Sequence, residues 1–247
     1  MRFYPLEGLP EIGPGAPLGD LLDQAISDAG FSLQEGDVLV VAQKVVSKAE
    51  GRILRLDEVT PSPFACALAQ QMGRDPRLVE AVLRNCVRIV RCEPEAFIVE
   101  TPHGFVCANA GIDRSNVAEE GSVLLLPIDP DASADGIRHK LEEHYGCPLA
   151  VIVSDTFGRP WRWGSANLAI GVSGIEPLTD LRGKTDASGR TLTATVLATA
   201  DEIAAGAELC MGKADRIPAV LVRGATYVRG EGRATTMIMD RAHDLFR

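Results

Sequence analysis

Leu149-Ala150-Val151-Ile152-Val153 is an unbroken apolar run whose length and β-branched content read as a buried strand. Ser154-Asp155-Thr156-Phe157-Gly158-Arg159-Pro160-Trp161-Arg162 follows directly. An aspartate and a threonine therefore emerge where the strand is expected to end, with two arginines close behind. Carboxylate and hydroxyl oxygens suit a hard divalent cation, and guanidinium groups suit phosphate or carboxylate. Together they are what a metal–nucleotide enzyme requires. The plainer alternative makes Asp155 a helix cap and Arg159 and Arg162 solvated charges.

Around this run the chain alternates between strand and helix signals. Leu18, Leu21, Leu22, Ala25, Ile26 and Ala29 recur at helical spacing, with Gly30 as the stop. Asp37 to Ser47, containing Val38-Leu39-Val40-Val41, reads as a buried strand with Lys44 and Lys48 toward its exit. Phe64 to Met72 reads as a helix. Asp75 and Pro76 read as the cap and first residue of another, with Leu78, Val79, Val82, Leu83 and Cys86 on its apolar side. Phe97-Ile98-Val99 and Phe105-Val106-Cys107-Ala108 flank a Pro-His-Gly turn and suggest a hairpin. Further strands are expected at 122–126, 168–172, 192–197 and 219–222, with helices at 133–145 and 201–211. A hairpin among alternating elements favours an α+β or mixed α/β fold, with mixed sheets and flanking helices.

Composition narrows the chemistry. A net charge of −9 argues against a nucleic-acid surface, although a small anion remains possible where basic groups are concentrated. No apolar run approaches the roughly 20 residues that span a membrane, and Met1-Arg2-Phe3-Tyr4-Pro5 lacks the apolar core of a secretory signal. Cysteines 66, 86, 92, 107, 147 and 210 form no C-x-x-C pair, which suggests reduced, buried thiols in a cytoplasmic protein. A P-loop, a G-x-S-x-G elbow and an H-E-x-x-H helix are all missing from the sequence, and the four histidines are scattered. The Gly224–Gly232 stretch is a flexible basic loop without dinucleotide spacing.

A second acidic position comes from Asn109-Ala110-Gly111-Ile112-Asp113-Arg114-Ser115-Asn116, again beyond an expected strand end. Asp113 and Asn116 could equally make an Asx turn. Asp113, Asp155 and Thr156 together form an oxygen-rich set suited to magnesium or manganese bridging phosphates.

These segments resemble the coenzyme F-420-0:L-glutamate γ-glutamyl ligase family. The resemblance runs in order through Gly8-Leu9-Pro10-Glu11-Ile12, Lys44–Arg52, Ala110–Asp113 with Ser115-Asn116, the SDTFGRPWR run and Ala200-Asp201-Glu202. It continues through Met211-Gly212-Lys213-Ala214 and Ile217-Pro218 to Val222-Arg223-Gly224. It implies one γ-glutamyl ligase module over 1–247, built of two intertwined subdomains, with no room for the flavin-binding domain carried by some relatives. It also implies an intertwined homodimer. Asp113, Asp155 and Thr156 fall on the family's divalent-cation positions. Leu9, Pro10, Glu11, Ile12, Gln43, Lys44, Lys48, Asn116, Met211, Gly212, Lys213, Ala214, Asp215, Arg216, Ile217 and Pro218 fall on its GTP-contacting positions.

The implied reaction is GTP-dependent addition of L-glutamate to an anionic deazaflavin precursor, with Mg2+ or Mn2+ and optionally K+. An unactivated carboxylate has oxide as its leaving group. Phosphoryl transfer would give an acyl phosphate that the glutamate amine displaces. Asp155, Arg159 and Arg162 are the expected catalytic groups, with Arg182, Lys184 and Arg190 as further substrate contacts in a polar loop. Trp161 and Trp163 are candidates for stacking on a planar ring or for packing. Two departures stand out: Lys213 where glutamate or glutamine would serve a second metal, and Ser165 where glutamine is expected. A ligase acting on another carboxylate and a non-catalytic nucleotide-binding homologue are the competing readings.

Overall fold

The computed structural model describes residues 1–114, 121–212, 215–240 and 242–244. In chain order the elements are β1 (Arg2–Leu6), α1 (Leu18–Asp28), β2 (Val38–Ala42), α2 (Gln43–Ala49), β3 (Ile53–Arg55), α3 (Pro63–Met72), α4 (Pro76–Arg84), β4 (Arg88–Glu93), β5 (Ala96–Glu100) and β6 (Val106–Ala108). They continue with β7 (Ser122–Leu124), α5 (Pro130–Tyr145), β8 (Ala150–Arg159), β9 (Arg162–Ser173), β10 (Thr179–Asp180), β11 (Val196–Leu197), α6 (Thr199–Met211) and β12 (Ala219–Arg223).

The apolar runs at Val38–Val41 and Ala150–Val153 lie side by side as the only parallel pair of a five-stranded sheet ordered β1-β12-β2-β8-β9, among the described residues. Both runs are apolar at every position because both faces of the sheet are covered. Leu39, Val41, Val151 and Val153 face Leu22 and Ile26 of α1 and Ile137 and Leu141 of α5. Val38, Val40, Ala150 and Ile152 face Ala200, Ile203, Ala204 and Ala207 of α6. Gly171 on β9 lets the start of α5 approach, since a Cβ there would lie 2.2 Å from the Pro130 carbonyl oxygen. Between β3 and β7 the chain builds another core, in which Ala65, Ala69, Leu78, Val79 and Val82 of α3 and α4 pack on Phe97, Val99 and Val123. The result is the expected α+β architecture with mixed sheets.

The structure departs from the sequence reading in instructive places. The strand expected over 37–47 stops at Ala42 and turns into α2, where Gln43 Nε2 donates to Ser47 Oγ one helical turn on, at 2.5 Å. Lys44 and Lys48 thus sit on a helix. The 150s strand does not end before Asp155: β8 runs to Arg159 because β9 begins at Arg162 and pairs with it, Asp155 opposite Leu168 and Thr156 opposite Asn167. Helix α5 starts at Pro130 rather than Ser133, capped by Asp129, whose Oδ1 accepts from Ala132 N at 3.0 Å. The strand expected over 192–197 shrinks to Val196–Leu197, and β1, β3 and β4 were not anticipated. All six cysteines are free thiols, but Cys107 alone is fully buried and Cys66 is exposed.

Asp75 caps α4 as expected, accepting from Arg77 N at 2.8 Å. Glu80 on the same helix ties it to the N-cap of α3, accepting from Ser62 N, Ser62 Oγ and Arg84 Nε at 3.0, 2.7 and 2.9 Å. Those donors, led by the Ser62 backbone N–H, hold the carboxyl at about 2, below its usual 4.5. A depressed folded-state value stabilises above the unfolded value and stops doing so as pH falls through the folded one. Glu80→Gln is therefore expected to melt at a lower temperature than the wild type at pH 7, with the gap closing between about pH 4.5 and 2 in thermal scans.

Candidate functional site

Strand register gathers most of the predicted positions at one edge of the main sheet. Leu6 pairs with Ala219, Ala219 with Val41, and Val41 with Val153. The carboxyl ends of β1 and β2, the amino end of β12 and the point where β8 passes beyond β2 therefore lie together. Leu9, Pro10, Glu11 and Ile12 leave β1 there, and Gln43, Lys44 and Lys48 lie on α2 just after β2. Met211 and Gly212, then Asp215, Arg216, Ile217 and Pro218, lead into β12, and the Pro218 carbonyl accepts from Ala42 N at 2.8 Å. Carboxyl ends of strands in a sheet of this kind are where ligands bind. Asn116, Lys213 and Ala214 lie outside the described residues.

The side chains at this edge carry paired charges. Lys44 Nζ lies 2.8 Å from Asp113 Oδ2, and the buried Lys48 ammonium pairs with the exposed Glu11 carboxylate. Asp113 itself is fixed by backbone bonds exchanged with Leu124, at 3.0 and 2.8 Å. Gln43, 1% exposed, spends its amide hydrogens on Ser47 and the Leu125 carbonyl; its Oε1 is buried without a partner among the described residues.

The approach to Asp113 is a left-handed turn in which Asn109, Ala110 and Gly111 have φ of 53°, 56° and 69°. For the two residues with side chains this costs roughly 1–2 kcal/mol each. Arg74 Nη1 donates to Asn109 Oδ1 at 2.7 Å, and Ala110 is buried in the core of the β3–β7 region. Strain held in place by surrounding structure beside a candidate site is a recurrent sign of function.

Asp155 and Thr156 part company. Asn167 bonds both Ser154 and Thr156, which puts those two on the α6 face of β8. Alternation then sends Asp155 to the face where Phe157 packs with Phe105 and Cys107. The Cys107 thiol is pushed up to about 12, by burial first and by the Asp155 charge second. Within one chain, then, the expected trio is divided: a carboxylate-bearing side with Asp155, and a hydroxyl side with Thr156. Among the described residues no three His, Cys, Asp or Glu side chains converge as a metal cluster. The donors present are hard oxygens beside a protonated thiol, a chemistry that fits magnesium or manganese completed by phosphate or water oxygens.

Arg159 and Arg162 pair across the tip of the β8–β9 hairpin, four residues and roughly 13 Å along the strand from Asp155. Arg159 Nη2 donates to the Trp163 carbonyl at 2.7 Å. Trp161 and Trp163 are 79% and 100% exposed, so neither is a packed indole within the chain. Ser165 is exposed on the same arm. Arg182 is engaged with Asp180, and with Lys184 and Arg190 it belongs to the loop between β10 and β11. Sequence reasoning overlooked Asn167, Glu208 and Arg74. The one available signal was Asn167 itself, a polar residue inside the apolar β9 segment.

A family model described as F420-0:Gamma-glutamyl ligase matches residues 8–224, and the chain belongs to that family. Similar proteins include the coenzyme F420:L-glutamate ligase of Methanothermobacter thermautotrophicus, 46% identical over 245 residues that span 98% of this chain and 97% of that protein. The proteins of the same name from Methanopyrus kandleri and Archaeoglobus fulgidus are each 44% identical, spanning all of this chain and 98% and 96% of their own lengths.

Gly111 is the position where the left-handed turn tolerates least. A Cβ there would meet Leu126 at 2.9 Å in a backbone conformation that disfavours side chains. Gly111→Ala is expected to lower stability by about 1–3 kcal/mol in urea unfolding, more than a generic surface Gly→Ala change.

Proposed function

We propose that this protein joins L-glutamate through an amide bond to the carboxylate of a deazaflavin precursor, at the expense of GTP and with release of GDP and phosphate. The observation that carries the reading is the convergence at one sheet edge of the loop after β1, helix α2, Asp155 and the loop before β12. Family membership and the relatives' names supply glutamate and the F420 precursor as substrates. A free carboxylate must be activated before an amine can displace its oxygen, and activation by GTP through an acyl phosphate is what the family resemblance implies.

In this reading Lys44 and Lys48 receive the phosphates as compact ammonium charges, and Gly212 lets backbone approach the nucleotide. Asp113 and Asp155 would hold Mg2+ or Mn2+, while Thr156, on the opposite face of β8, would offer its oxygen to a cation on that side. A cation held there would supply positive charge to offset that of the transferring phosphoryl group. No protein nucleophile is required, since the phosphorylated species is the substrate. The arginines of the β8–β9 tip stand too far along the arm to serve Asp155 of their own chain. The large exposure of Trp161 and Trp163 beside them supports a homodimer in which this arm meets a second copy.

Asp155→Asn keeps size and hydrogen bonding while removing the charge. It is expected to fold normally and to lose at least about 100-fold in metal-dependent GTP turnover, measured with glutamate and precursor present. Wild-type rates in this variant would remove Asp155 from the metal site. Failure of the wild-type protein to extend any deazaflavin precursor would overturn the proposed reaction.

A further inference from the structure

We infer that Asn167, oriented by Glu208, is a positioning residue that fixes the polarity of the Thr156 hydroxyl, so that Thr156 offers its oxygen and not its proton to a divalent cation. The inference rests on the ligase reading above and extends it to residues that reading does not use.

Asn167 lies on β9 directly opposite Thr156 and is 3% exposed. Its Nδ2 donates to Glu208 Oε2 at 2.8 Å and, more weakly, to Ser154 Oγ at 3.4 Å. An ionised carboxylate only accepts hydrogen bonds, so it selects one of the two amide orientations: nitrogen toward Glu208, oxygen toward Thr156. Thr156 Oγ1 then donates to Asn167 Oδ1, at 2.7 Å. A hydroxyl has one proton, and spending it on Asn167 leaves the Thr156 oxygen able to act toward anything further only as acceptor or ligand. The direction of each bond is thus dictated from the carboxylate outward.

Glu208 also connects the relay to the nucleotide side of the edge. It sits in the last turn of α6, and its backbone carbonyl accepts from Gly212 N at 3.2 Å, at the start of the loop that leads to Pro218. Burying an asparagine in an apolar strand costs free energy unless every bond is made.

The test is direct Mn2+ binding in the presence of GDP, followed by the electron paramagnetic resonance signal of free Mn2+, alongside kcat and KM for GTP. Asn167→Leu removes the acceptor, and Glu208→Gln keeps the shape while allowing the Asn167 amide to flip. Outer partners of metal ligands typically contribute about 10–100-fold in affinity, and a loss of that size is expected in both variants and in Thr156→Val. Thermal melts identify any variant that fails to fold; should Asn167→Leu do so, Glu208→Gln carries the test by itself. Wild-type Mn2+ affinity in folded Asn167→Leu or Glu208→Gln, or in Thr156→Val, overturns the inference, as does a wild-type protein that binds no Mn2+. The ligase reading fails by a different observation, the lack of precursor extension, whatever the metal affinities are.

Discussion

The parallel pairing of β2 with β8 is the constraint on which the rest depends. Two strands apolar at every position can only be neighbours in the middle of a sheet covered on both faces. Their parallel direction brings the end of β2 and the point where β8 passes beyond it to the same edge. Antiparallel β12 enters from that edge and β1 leaves at it, so four chain segments, the outermost more than two hundred residues apart, are delivered to one place by hydrophobic burial and backbone register alone. Function inherits its geometry from that arrangement before any polar side chain is considered.

How much of this was legible in the sequence follows from which forces act locally. The central runs, α1, α3 and α4 with its Asp75 cap, and the β5–β6 hairpin are encoded in short windows, and they were readable there. The β8–β9 arm was not. Asp155-Thr156-Phe157-Gly158 carries no strand signal of its own and becomes a strand because Ser165–Leu168 folds back beside it across the turn at Pro160-Trp161, a partnership that the residues of either segment alone do not announce. The same blindness affected α2, whose Val45-Val46 pair looks like a continuation of β2 until the Gln43–Ser47 contact turns it. β1 and β3 are edge or two-stranded elements defined by their partners. For the site, the residues at the edge were found through ordered motifs. The facing of each side chain was not, because facing depends on where a strand ends, and the misplaced end of β8 concealed the separation of Asp155 from Thr156.

That separation recasts the chemistry of the arm. A strand projecting beyond the sheet presents its two faces to different surroundings. One face of β8 offers a carboxylate near a buried thiol, and the other a hydroxyl governed by Asn167 and Glu208. The Asp201 carboxylate adds to this second side. The register shift in β9 skips Ile170, and Asp201 Oδ1 accepts the Ala169 N–H at 2.8 Å. Burial raises the Asp201 carboxyl above the usual aspartate range. The irregularity in the ladder is thereby closed by α6, which anchors the helix that carries Glu208.

Charge accounting explains how an acidic protein can admit two anionic substrates. At the edge, Lys44 and Lys48 are already neutralised by Asp113 and Glu11, so among the described residues neither ammonium waits unpaired there. Such a wait would be costly, because an uncompensated charge loses hydration without a partner to replace it. A nucleotide arriving with a divalent cation offers both signs at once. Under the proposed function, the carboxylates of Asp113 and Glu11 would turn to the cation while the Lys44 and Lys48 ammonium groups turn to the phosphates, so that no protein charge need pass through an unpaired state. A bare phosphate or a bare cation would satisfy only one half of each pair and leave the other stranded. On the proposed function, the paired edge would therefore favour a metal–nucleotide complex over either component alone, through the same ion pairs that hold α2, the β1 loop and Asp113 together.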